Sequence, residues 1–71
     1  MNAEDAPSQE AFFALRNRAY ELADTGRYKE WNAIAYALQA EGFLPALITR
    51  LDQDAQVVMM ITRTCINARA T

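Results

Sequence analysis

Residues 52–69, DQDAQVVMMITRTCINAR, decide the fold class. The β-branched composition of VVMMI, followed by Thr62, Thr64 and Ile66, suits a strand, and ALITRL could pair with it as a hairpin across DQDA. The charges favour a helix. Asp52 is a good N-cap and Asp54 falls in the first turn, while the bases Arg63 and Arg69 lie late, as the helix dipole prefers. Cys65 and Ala68 also continue at helical spacing the face begun by Val57, Val58 and Ile61. The alternatives for residues 45–66 are a hairpin and a helical pair, and the helical reading makes the chain all-α.

Upstream, residues 26–42, GRYKEWNAIAYALQAEG, place a glycine at either end of an amphipathic stretch. A helix over 27–41 is expected, with Tyr28, Trp31, Ile34, Ala35 and Leu38 inward and Ala33, Tyr36 and Ala40 on its back. Gly42 is the expected left-handed terminator. Phe43 and Leu44 lead to Pro45, a good first-turn residue, and Ala46 to Leu51 make a short third helix. Before Gly26, a helix opens near Pro7 or Ser8 with Asp5 or Ser8 as N-cap, and Phe12, Leu15, Ala19, Leu22 and Ala23 form its core stripe. Phe13 and Tyr20 fall on a neighbouring face. The expected architecture is a small bundle of three longer helices plus one short helix: a flexible N-terminus over 1–7, then a single helical domain over 8–71.

At 71 residues the chain is one small domain. Cores of this size rarely supply more than ~3–5 kcal/mol, so a staple or a partner is expected. Fourteen alanines favour helix but add little core volume, leaving the seven aromatic residues and the Leu, Ile, Val and Met side chains to fill the interior. One cysteine and no histidine exclude an internal disulfide and an ordinary structural zinc site. Self-association is the remaining route to extra stability.

The same counts exclude most chemistries. Without histidine there is no Ser-His-Asp or Cys-His nucleophile, no HExxH zinc site and no imidazole base. Two glycines make neither a P-loop nor a dinucleotide fingerprint. Asp52 and Asp54 begin like a calcium loop, but Val57 stands at the sixth position, where the turn demands glycine. Cys65 reads as a buried structural thiol, Trp31 as a core anchor, and Glu30 and Glu41 as solvated helix-surface charges. No enzyme activity, cofactor or metal is expected.

Net charge is −2 and the pI about 4.9, which argues against binding nucleic acid by phosphate neutralisation. Residues 57–61 form the longest strongly apolar run, far too short to span a bilayer. The start, MNAEDAPSQE, lacks the basic and apolar regions of a signal peptide, and with a free thiol this fits the cytoplasm.

Two resemblances add to this. IAYALQAEGF followed by LPALITRL resembles the helix-turn-helix entry of bacterial DNA-binding domains, with Thr49 and Arg50 as its only base-reading candidates. Leu44, Pro45, Ala46, Leu47 and Ile48 make that second helix read as buried. Gly26, Arg27, Tyr28, Trp31, Ile34, Leu38, Gly42 and Phe43, with a late Cys65, Ala68 and Arg69, resemble short uncharacterised proteobacterial helical proteins. Their pattern is G-R-[FY]-x-x-W-x-x-I-x-x-x-L-x-x-x-G-[FY] and then C-x-x-A-R. That likeness implies no activity, but it favours the helical reading of residues 53–69.

The functional expectation is a non-catalytic protein-interaction module with a protein partner of unknown identity, itself a homo-oligomer. The alternative is a small transcriptional regulator. Met59 and Ile66 project opposite to Val57, Val58, Ile61 and Cys65, so the last helix is apolar on two sides and needs two partners. Phe13, Tyr20, Met59 and Ile66 are therefore the candidate interface, unless the short third helix folds over Met59 and Ile66.

Overall fold

The computed structural model describes residues 5–70, with side chains from Gln9 onward. It is all-α, a four-helix bundle of two long and two short helices: α1 (Asp5–Asp24), α2 (Trp31–Ala40), α3 (Pro45–Asp52) and α4 (Ala55–Ala70). Among the described residues there is no strand, and the continuous α4 removes the hairpin alternative. Helix α1 opens at Asp5, so residues 5–7 belong to it and neither Asp5 nor Ser8 stands ahead of its first turn. Residues 1–4, the rest of the N-terminus expected to be flexible, lie outside the described residues.

The long helices α1 and α4 pack together, and α2 and α3 close the other side. Leu15, Ala19, Leu22 and Ala23 of α1 meet Trp31, Ile34 and Leu38 of α2, Leu51 of α3, and Ile61 and Cys65 of α4 in one buried cluster. Phe12, Tyr20, Tyr28, Val57 and Val58 pack against its edge. At 1.5 Å per residue α1 runs about 30 Å and α2 about 15 Å. The first turns of α1 therefore outrun their partners, and Gln9, Glu10, Phe13 and Ala14 are exposed.

The two glycines both end helices at positive φ, with different bonding and in different surroundings. At Gly42 (φ 97°), the Phe43 N–H donates to the Leu38 carbonyl at 3.2 Å and the Gly42 N–H to the Gln39 carbonyl at 3.0 Å. These are the two bonds of a Schellman motif, and Phe43 folds back onto the core. At Gly26 (φ 74°) the backbone lies against the end of α4, and a Cβ there would stand 3.1 Å from the Ala68 carbonyl oxygen.

Helix α2 starts at Trp31, four residues later than its spacing predicts. After Gly26 the Arg27 N–H is taken by Thr25 Oγ1 at 3.2 Å, and Glu30 is fully extended (φ −166°, ψ −177°). The chain needs that extended link to cross from the end of α1 to the start of α2. Tyr28, though outside the helix, still packs against the core.

Helix α3 is less buried than its composition suggests. Only Leu51 is fully enclosed; Leu47 and Ile48 are half-buried, and Leu44, Pro45 and Ala46 are exposed. The proline holds Leu44 extended (φ −65°, ψ 132°) and starts the helix, whose eight residues are too few to bury more than one ridge.

Candidate interaction surface

Trp31 closes the core where three helices meet. Its indole Nε1–H donates to Asp52 Oδ1 at 2.7 Å, and its backbone N–H, an orphan donor at the start of α2, donates to Thr62 Oγ1 at 3.2 Å. One residue thus ties α2 to the end of α3 and the middle of α4. Asp52 is not the N-cap of α4: that position is held by Asp54, whose Oδ1 accepts the Val57 N–H at 3.2 Å. The N-cap thus falls two residues later than expected, and Asp52 serves the indole instead of a helix N–H.

Glu41 is not a free surface charge either. Arg18 of α1 grips it side-on, with Nε 2.9 Å from Oε1 and Nη2 2.9 Å from Oε2, while Nη1 reaches Glu21 Oε1 at 3.0 Å. Hydrogen bonding from Arg18 holds the Glu41 carboxyl below its ordinary value of 4.5, and the same bonds raise Arg18. Across the bundle, the Arg50 guanidinium carbon sits 4.2 Å from the centre of the Phe12 ring, which pins α3 to α1. Neither contact was visible in the helical spacing, because each joins residues far apart in sequence on different helices.

The four candidate interface residues separate. Met59 and Ile66 are each 57% exposed, with Met60 at 45% beside them, so none of the described residues folds over the outer face of α4. The reading in which α3 covers them is excluded. Phe13 is 52% exposed on the overhanging part of α1. Tyr20 is different: it is half-buried and packs against the core, so Phe13 and Tyr20 do not form one bare face.

On α4 the buried side holds Ile61 and Cys65, flanked by Val57, Val58, Thr62 and Ala68. Burial pushes the Cys65 thiol up, away from its reactive thiolate form. The outer side carries Met59, Arg63, Ile66 and Ala70, spaced four, three and four residues apart, the rhythm of a helix–helix seam.

A second surface, an open hollow, lies between α2 and α3, lined by Asn32, Ala35, Tyr36, Gln39 and Ile48. It carries no charged side chain, and Tyr36 stands out from it at 76% exposure. Among the described residues no group of three or more Cys, Asp or Glu side chains could hold a metal ion, and no helix is long and apolar enough to cross a membrane. No protein-family model, curated protein or solved structure matches this chain.

Proposed function

We propose that this chain is a non-catalytic protein-interaction module of the cytoplasm that works as a symmetric homodimer joined through the outer face of α4. The observation that carries the reading is the pair Met59 and Ile66: two large apolar side chains, two turns apart on one helix face, each more than half exposed. Apolar side chains scattered singly need no explanation, but a helix apolar on both sides does. A second copy is a suitable cover. Net charge is only −2, so two copies repel weakly, and Arg63 is the single charge between positions 59 and 66. Its aliphatic stem can lie along an apolar seam while the guanidinium stays at the wet rim.

The placement of three reactive or charged groups supports the non-catalytic part. Arg18 and Glu41 spend their charges on each other at the surface, and Cys65 is buried with a raised pKa. A helix-turn-helix regulator is less well supported: Thr49 and Arg50 are the base-reading candidates of α3, and Arg50 is stacked on Phe12. Specific affinity for duplex DNA at physiological salt is expected to be absent, and salt-dependent retention lost in Arg50→Ala would favour the regulator instead.

The test is Ile66→Glu. The unmodified chain should sediment as a dimer at micromolar concentration, and the variant as a monomer with unchanged helical circular dichroism. A chain that is monomeric at high micromolar concentration overturns the reading without any variant.

A further inference from the structure

We propose that Met59, with Met60 beside it, is an oxidation site, and that conversion of its thioether to the sulfoxide by a peroxide opens the self-association described above. The consequence for association rests on the dimer reading; the assignment of the site does not. Among the described residues the sulfur atoms belong to Met59, Met60 and Cys65. Met59 is 57% and Met60 45% exposed, whereas Cys65 is fully enclosed.

The chemistry separates them further. A thioether reacts through a sulfur lone pair that needs no deprotonation. The S–O bond forms as the peroxide O–O bond breaks, sulfur gives up two electrons, and hydrogen peroxide leaves as water. Cysteine must first become a thiolate, and burial of Cys65 opposes that. The exposed methionines are therefore reached first.

The position gives the lesion its effect. Met59 shares the outer face of α4 with Ile66, so a sulfoxide there sets a polar oxygen where the seam needs an apolar chain. In a symmetric dimer both chains carry the site, so oxidation of both places an oxygen on each side of the interface. Because methionine sulfoxide is enzymatically reducible, the change is reversible.

The experiment treats the intact protein with hydrogen peroxide, then measures sedimentation and maps tryptic peptides. Cleavage at arginine places both methionines in the peptide of residues 51–63 and Cys65 in that of 64–69. The first peptide should gain oxygen, located at Met59 and Met60 by fragmentation, before the second changes. The dimer dissociation constant should rise at least tenfold, and the oxidation should slow as protein concentration rises and the dimer covers the site. The double variant Met59→Leu, Met60→Leu should associate normally and ignore peroxide. Oxidation of Cys65 ahead of Met59 overturns the site. Met59 oxidised with association unchanged, or the double variant still dissociated by peroxide, overturns the switch and leaves the dimer standing. A chain monomeric before treatment overturns the dimer reading and the switch together, while the peptide map still decides the site.

Discussion

The corner around Trp31 and the outer face of α4 both present large apolar side chains, and they differ in what surrounds them. Trp31 is 3% exposed with both of its N–H groups bonded, and it touches α3 and α4 at once. Met59 and Ile66, on the same α4 that supplies Thr62 to that corner, are each 57% exposed and lie outside the buried cluster. Helix α4 is thus a wall of the core on one side and an unused surface on the other. Truncation inside the corner should cost fold stability, and truncation on the outer face should cost association alone.

The largest expected effect is at Trp31. Trp31→Ala removes the side chain that plugs the junction of three helices, at a typical cost of ~3–5 kcal/mol. In a domain whose whole core supplies a similar amount, that means loss of cooperative thermal unfolding. Trp31→Phe keeps most of the volume and removes the indole donor to Asp52, so it should lose only about 1 kcal/mol. Ile66→Ala is the control on the other side, within about 0.5 kcal/mol of the unmodified chain under conditions that keep both monomeric. Equal losses from Trp31→Ala and Ile66→Ala in urea titrations would break the comparison, by showing that the outer face is part of the core.

The glycines sharpen it at the next level. Gly26→Ala places a methyl against a backbone carbonyl, which cannot move without shifting α4, and does so at positive φ. Gly42→Ala meets open space and carries the conformational strain alone, about 1 kcal/mol. The expected order in thermal melts is Gly26→Ala clearly below Gly42→Ala, and a reversal would mean that α4 does not sit against the α1–α2 link. Below these comes the N-cap. Asp54→Ala should cost about 1 kcal/mol, as caps typically do.

Much of this was legible in the spacing of residues, and the rest was not for an identifiable reason. Leu15, Ala19, Leu22, Ile34, Leu38 and Cys65 fall on the buried faces that helical periodicity assigns them, because a face is a local property. The start of α2 is not local. Trp31 can open a helix because Thr62, thirty-one residues away, accepts its N–H, and the spacing of Tyr28 with Trp31 carries no trace of that. Asp52 and Asp54 are equally good caps by type, and only the position of the indole sends Asp52 to Trp31. The bare face of α4 was visible as a second apolar stripe. That α3 would leave it uncovered follows from how short α3 is and where Leu51 anchors it.

The smallest expected effect comes from the ion pair that ties α1 to the end of α2. Glu41 in the folded chain has a pKa below its ordinary 4.5, chiefly because Arg18 hydrogen-bonds its carboxylate. A lowered folded pKa means that the unfolded chain binds the proton more readily, so the pair adds stability above about pH 4.5. That increment disappears as pH falls through the folded value, once Glu41 is protonated in both states. Arg18 stays charged throughout and does not move the window. Both side chains are well exposed, at 42% for Arg18 and 33% for Glu41, so water and salt screen the pair and its effect should be smaller than any substitution above. Urea midpoints measured from pH 7 to pH 3 should fall less steeply in Glu41→Gln than in the unmodified chain, with the difference shrinking in 1 M salt. If Glu41→Gln leaves the slope as steep as in the unmodified chain, the pair contributes nothing to holding α1 against the end of α2.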